Sequence, residues 1–314
     1  MNIKASILRT IGGTPLVMLN RVTHGIDATV CAKLEQFNPM TSIKDRPALA
    51  MIEHAQAEGR LQPGSIIAEA TSGNTGLALA MVGAVYGYRV ILFVEELDRL
   101  KTITEAADAL GAEIVVTDRF ATAVSLAEQF QKDNPMVFSP QQFKNDKNPY
   151  CHESTTAEEI IADAGASLRA FVAGAGSGGT ITGVGRVLKK RMPSVEVVLA
   201  EPDTVRMYSG GTVSCSEIHG VGPTFKPQVM DTSVVDSIIQ VNSADAHHMM
   251  RRLAREEGIL CGPSSGALAH AAIQVAKRYG PGDVVVTVFP DYGMRYLGTG
   301  MYCDGDVARP TAEQ

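Results

Sequence analysis

Tryptophan is absent from the 314 residues, and with 8 Tyr and 9 Phe the aromatics reach only 5%. Tyr and Phe must therefore supply all the aromatic packing. Cysteine is sparse too: Cys31, Cys151, Cys215, Cys261 and Cys303 lie far apart, odd in number and without a CxxC pair, which fits reduced thiols better than a disulfide or zinc framework. Long hydrophobic runs are missing. The longest uncharged stretch with a helical pattern, residues 77–88, falls well short of the roughly 20 residues that cross a bilayer and reads as a buried helix. Residues 1–13 hold no apolar core of signal-peptide length, so neither secretion nor membrane attachment is expected and the cytoplasm is the default location. Positive charge is in deficit, 28 Lys+Arg against 34 Asp+Glu for a formal net charge of −6. That leaves no broad positive field for a phosphate backbone, and nucleic acid is not expected as a partner.

What is present suits a globular α/β protein. Hydrophobic residues make up 45% and charged residues 20%, enough to fill sizeable cores, and the length points to about two domains. Short β-branched runs at 65–69, 89–94, 113–117, 136–138, 170–173, 195–200 and 284–289 read as buried parallel strands. Helical patterns at 75–86, 100–110, 121–131, 155–164, 180–190, 244–257 and 265–277 alternate with them. Such alternation predicts a doubly wound α/β fold. The polar stretch 141–148 after Pro140 is the best internal boundary. Residues 203–227, rich in Gly, Ser, Thr and Pro, form a connection long enough to suggest a functional loop. Lys189, Lys190 and Arg191 end a helix and read as a solvated face. His247 and His248 lack further ligand types at metal spacing, so no metal site is expected.

Four loops could carry chemistry. The first, Ala173-Gly174-Ala175-Gly176-Ser177-Gly178-Gly179-Thr180, follows a strand and opens a helix, so backbone N–H groups can converge on an anion at the positive end of the helix dipole. Gly174, Gly176 and Gly179 also satisfy G-x-G-x-x-G with Glu201 about twenty residues on, as a nicotinamide-dependent oxidoreductase would require, while a structural reading assigns them to a tight turn. The second, Ala70-Thr71-Ser72-Gly73-Asn74-Thr75-Gly76, adds hydroxyls and an amide and suits an amino-acid carboxylate; helix capping is the plainer role for any one of these residues. The third, Asn38 through Pro47, holds Lys44 just before a helical stretch, where the plain reading is an exposed surface lysine. Cys261-Gly262-Pro263-Ser264-Ser265-Gly266, the fourth, reads alone as a helix N-cap.

Taken together the segments resemble the cysteine synthase (O-acetylserine sulfhydrylase) and cystathionine β-synthase family of fold type II pyridoxal-phosphate enzymes, in order and spacing along nearly the whole chain. The residues that carry the resemblance are Gly13-Thr14-Pro15-Leu16, Lys33-Leu34-Glu35, Ser42-Ile43-Lys44-Asp45-Arg46, Thr71 to Gly76, Gln142-Phe143, Asn148-Pro149, Thr155-Thr156, Gly174 to Gly183, Gly262 to Gly266 and Pro290-Asp291. The resemblance implies that Lys44 forms a Schiff base with pyridoxal 5'-phosphate and later accepts a proton. Gly176, Ser177, Gly178, Gly179 and Thr180 would hold the phosphate, Asn74 the 3'-oxygen, and Ser264 would face the pyridine nitrogen. Thr71, Ser72, Thr75 and Gln142 would bind the substrate carboxylate, with Gly222 near the substrate.

The implied reaction is β-replacement on an O-activated L-serine, with sulfide as nucleophile and L-cysteine as product in the commonest family member. Two doubly wound α/β domains resembling the tryptophan synthase β-chain are implied, a smaller one at 48–147 that closes over substrate and a larger cofactor-binding one from 1–47 and 148–314. A homodimer is implied, with a serine acetyltransferase as a further partner and no C-terminal regulatory module of the cystathionine β-synthase type. The chain departs from the common pattern at three places: Val94-Glu95-Glu96-Leu97-Asp98-Arg99-Leu100-Lys101 replaces a Met-Pro start and a Met-Ser pair, Gly222 is followed by Pro223 and Thr224 in place of Ala-Gly, and Ala157 follows Thr156 where glycine is usual. Relatives with this core make cystathionine, β-cyanoalanine, S-sulfocysteine or 2,3-diaminopropionate, or eliminate from serine and threonine. An oxidoreductase and a catalytically silent binding protein are the readings from other classes.

Overall fold

A computed structural model describes residues 3–71, 73–97, 101–214 and 216–303. In chain order its strands are β1 (Leu16–Met18), β2 (Thr29–Leu34), β3 (Ile66–Ala70), β4 (Arg89–Glu95), β5 (Glu113–Thr117), β6 (Val137–Phe138), β7 (Leu168–Gly174), β8 (Glu196–Pro202), β9 (Ser237–Val241) and β10 (Val284–Phe289). Its helices are α1 (Asp45–Ala57), α2 (Asn74–Tyr86), α3 (Lys101–Ala109), α4 (Phe120–Asp133), α5 (Lys147–Cys151), α6 (Ala157–Ala164), α7 (Gly179–Arg191), α8 (Ser243–Arg252) and α9 (Pro263–Ala276). The strands form two sheets, one of order β1-β2-β10-β7-β8-β9 and one of order β5-β4-β3-β6. Apart from the antiparallel β1–β2 pair, neighbours run parallel. This is the α/β class expected.

Successive strand residues face opposite sides of a sheet, so a strand covered by helices on both sides must be apolar at every position. In the larger sheet Ala170, Val172, Val198, Val285 and Phe289 enter one core with α9, whereas Phe171, Ala173, Val197, Leu199, Val286 and Val288 enter another with α7. The smaller sheet repeats the pattern, with Ile67, Val90 and Leu92 against α1 and α2 and Ala68, Ile91 and Phe93 against α4. Helix α2, apolar all round, is buried from Thr75 through Gly83, as a helix without a polar face must be.

All the strands expected from apolar runs form, but β1, β2 and β9 were not expected. In β2 the apolar pattern is broken by Lys33, which is only 1% exposed. Its ammonium donates to Thr14 O (2.5 Å) and pairs with Glu159 (2.9 Å) and Asp163 (3.4 Å), so tertiary partners allow a charge where the strand needs burial. The helix expected at 155–164 lies in a longer helical stretch, α5 and α6 joined by a π-helical turn at His152–Thr156. Lys189 and Arg191, read as a solvated face, bridge Asp236 and Glu158.

Candidate active site

The carboxyl ends of parallel strands in open α/β sheets are where ligands bind. Here the loops after β3 and β7, the turn before α1 and the start of α9 meet at a cavity of about 330 Å³. Lys44, Thr71, Asn74, Thr75, Gln142, Gly176, Ser177, Gly178, Gly179, Thr180, Gly222 and Ser264 all line it. Ser72 lies outside the described residues, as do residues 98–100 of the divergent segment after β4.

The Gly176–Thr180 turn is a cradle that only glycine permits. A Cβ on Gly176 would stand 2.5 Å from Gly220 O, and one on Gly179 2.0 Å from Asn148 Oδ1. Gly178, the N-cap of α7, has φ of 84°, a left-handed backbone that disfavours other residues. First-turn N–H groups have no intrahelical acceptor and sit at the positive end of the dipole, so the turn favours an anion.

The side chains around it have their acceptor capacity occupied. Ser177 Oγ accepts from Asn148 Nδ2 (2.9 Å), and Thr71 Oγ1 accepts from Gly73 N (3.3 Å) and Gly76 N (3.1 Å). Thr71 thus supports the first turn of α2, and its own O–H is left to donate. Gln142 Oε1 accepts from Thr75 Oγ1 (2.8 Å), so its Nε2 is left without a partner among the described residues. Donors remain, and donors select anions. Gly222 contributes shape: φ is 76° and its N–H is taken by Ala175 O at 2.9 Å.

Lys44 is the N-cap residue of α1. It is half-buried, not the exposed lysine of the plain reading, and its Nζ has no hydrogen-bond or ion-pair partner among the described residues. Burial pulls its pKa below the ordinary lysine value, opposed by the negative potential of Asp291. An amine so disposed is more readily neutral, as a nucleophile or base must be. Asn74 Nδ2 donates to Asp291 Oδ2 (2.8 Å), and Asn74 Oδ1 is a buried acceptor with no partner among the described residues. Ser264, in the first turn of α9, is 2% exposed and lines the cavity.

Some contributors carried no role in the sequence reading. Asp291 accepts from Tyr296 Oη (2.7 Å) as well as Asn74, and Asn148 bridges Gln142 O (2.7 Å) and Ser177 Oγ. His152, held neutral by burial well below its usual pKa, links Thr156 Oγ1 (2.9 Å) to Thr180 Oγ1 (3.3 Å). Asn148 and Asp291 stand in quoted motifs, but nothing local distinguishes a positioning amide or carboxylate from a surface one. Glu201 does not support a dinucleotide site. Its carboxylate is committed to Tyr208 N (2.7 Å) and to Ser209 N and Oγ, leaving no oxygen aimed at a ribose.

These residues fit pyridoxal phosphate: a cradle a Cβ would fill, an unpartnered buried amide oxygen on Asn74, and an unpaired lysine on one cavity. Gly176 to Thr180 would hold its phosphate and Lys44 its aldehyde carbon.

Comparison with known proteins agrees. A cysteine synthase of Staphylococcus aureus is 45% identical over 305 residues, covering 96% of this chain and 98% of that protein. The crystal structure of a cysteine synthase from Entamoeba histolytica superposes with a TM-score of 0.93 at 36% identity, covering 98% of this chain and 93% of that one. An O-ureido-L-serine synthase superposes with a TM-score of 0.90 at 37% identity, covering 98% of each chain. The family described as pyridoxal-phosphate dependent enzyme matches residues 7–291, and the chain belongs to it, an enzyme of fold type II that uses pyridoxal phosphate.

Proposed function

We propose that the chain replaces the β-substituent of an O-activated L-serine with sulfide, making L-cysteine. The observation that carries this reading is a lysine with no partner among the described residues, on a cavity where the Thr71 and Ser177 hydroxyls and the Gln142 Nε2 still have protons to donate. One anion subsite suits the cofactor's phosphate, the other an amino-acid carboxylate. The cofactor, when bound, supplies the electron sink that makes the substrate's Cα–H acidic. Thr71, Thr75 and Gln142 hold the carboxylate at the start of α2 and turn Cα–H toward Lys44, and Ser72 belongs to the same loop. Lys44 Nζ takes the Cα proton and holds it while the β-substituent departs. Ser264 would face the ring nitrogen with a neutral hydroxyl, which would not stabilise a protonated ring as a carboxylate would. Gly222 shapes the wall beside the leaving group.

The same reading includes a smaller domain at 48–147 closing over the substrate and a larger one of 1–47 with 148–314, a homodimer, a cytoplasmic location and a serine acetyltransferase as partner. Sheet β5-β4-β3-β6 lies within the smaller span, and no helix among the described residues is long and apolar enough to cross a membrane. A different nucleophile is the second reading, supported by the likeness to an O-ureido-L-serine synthase and by Pro223 and Thr224 lining the cavity. Purified protein loaded with pyridoxal phosphate should convert O-acetyl-L-serine and sulfide to L-cysteine. Turnover with cyanide, thiosulfate or homocysteine but not sulfide would select the second reading, and no turnover with any nucleophile would sink both.

A further inference from the structure

Glu69 is the penultimate residue of β3, two residues before Thr71, and is only 4% exposed. No ion pair reaches it among the described residues. Three donors from one turn do: Ser139 Oγ (3.0 Å) and Gln141 N (3.0 Å) on Oε2, and Gln142 N (3.2 Å) on Oε1. Within that turn Gln141 has φ of 52°, a left-handed conformation unfavourable for a residue with a Cβ, so something must hold it. Burial raises the Glu69 pKa, and the donors from Gln141, Gln142 and Ser139 oppose the rise.

Gln142 and the Phe143 that follows it tie the turn to the active site. Gln142 Oε1 accepts from Thr75 in the substrate loop. Gln142 O accepts from Asn148 Nδ2, which also donates to Ser177 in the phosphate cradle. Phe143 O accepts from Gln228 N (2.9 Å) and Val229 N (3.2 Å), and the Phe143 ring meets Phe225, also of the cavity wall, edge to face with centroids 4.9 Å apart.

We propose that Glu69 is a positioning residue for amino-acid binding: its carboxylate holds the 139–142 turn so that the side-chain Nε2 protons of Gln142 face the substrate carboxylate. The proposal rests on the β-replacement reading of the site. A carboxamide cannot take over, because one of its two polar atoms is itself a donor and would oppose a backbone N–H. Aspartate keeps the charge but is one methylene shorter, so it restores part of the hold.

The test compares wild-type holoenzyme with Glu69→Gln, Glu69→Asp, Gln142→Ala and the Glu69→Gln/Gln142→Ala double variant. L-cysteine binding is followed through the visible spectrum of the bound cofactor, and kinetics are measured with O-acetyl-L-serine and sulfide. Losing charged hydrogen bonds that fix the turn should raise the L-cysteine Kd and the O-acetyl-L-serine KM of Glu69→Gln about tenfold or more. Its kcat and its KM for sulfide should change far less, and Glu69→Asp should fall in between. In the Gln142→Ala background the Glu69 substitution should add little. Glu69→Gln binding L-cysteine like wild type, or raising Kd equally with and without Gln142, would overturn the proposal, as would a fall in kcat and thermal midpoint at unchanged Kd. A wild-type enzyme whose spectrum responds to no amino acid would overturn instead the β-replacement reading.

Discussion

Lys33 and Lys44 lie eleven positions apart and show how surroundings decide what a lysine does. Lys33 is neutralised by Glu159 and Asp163 inside the fold, which makes it structural. Lys44 has no carboxylate in ion-pair distance among the described residues and lies on a cavity, so its ammonium is destabilised and its free amine available. Lys44→Ala should still take up pyridoxal phosphate through the Gly176–Thr180 cradle, yet lose turnover by at least the roughly 10²–10⁴-fold that general-base catalysis is worth. Borohydride reduction and peptide mapping of wild type should label Lys44; label elsewhere, or near-normal turnover in the variant, would exclude it. Burial moves the Lys44 pKa down, so the neutral amine persists below the ordinary lysine value of about 10.4. In cofactor-free protein, amine-directed labelling of Lys44 should accordingly reach its plateau at lower pH than labelling of lysine in a short unstructured peptide; a plateau at the same or higher pH would contradict the effect of burial. The family motif singles out Lys44 in the sequence; its lack of a partner is visible only in three dimensions.

In the proposed reading helix starts supply both anion subsites, and an element's placement matters as much as its residues. Gly179→Ala should push Asn148 from the position where it holds Gln142 O and Ser177 Oγ. Weakening even one charged hydrogen bond to the phosphate should raise the pyridoxal-phosphate Kd about tenfold or more, measured by cofactor titration; an unchanged Kd would show that the cradle does not grip the phosphate. Helix α1 is anchored from below. Arg46 bonds Glu35 (2.7 and 2.9 Å), Glu159 (2.7 and 2.8 Å) and Thr14 (3.1 Å), while Thr14 Oγ1 bonds Glu35 (2.7 Å). Three of the family segments, around Thr14, Glu35 and Arg46, thereby prove to be one buried network. Arg46→Met should destabilise the fold by about 3–5 kcal/mol in denaturant unfolding, because Glu35, fully buried, would lose its cationic partner. A loss below about 1 kcal/mol would mean that water or a rearranged side chain satisfies Glu35.

At the scale of the molecule, the cavity draws Gln142 and the 71–76 loop from beside one sheet and the cradle, Ser264 and the 220–225 loop from beside the other. Amino-acid binding should therefore draw the two sheets together, excluding water from the reacting carbon. Hydrogen exchange in the segments flanking Gln142 and in α4 should slow when L-cysteine is added to the holoenzyme; equal exchange with and without it would argue for a preclosed cavity.

The sequence by itself determined the class of fold, because strands covered on both faces must be apolar throughout, and runs such as 284–289 announce this without further context. It also marked the glycine-rich cradle and, through the family spacing, Lys44. Tertiary structure decided the rest. A charge in β2 is tolerated only because Glu159 and Asp163, far along the chain, come to meet it, and the edge strands β1 and β9 are fixed by their neighbours in the sheet. Glu201 could have faced a ribose and instead caps its own loop. Glu69 is one acidic residue at the end of a strand until the 139–142 turn folds over it, because local sequence sets which groups can donate or accept, whereas only the packed chain sets which of them remain free.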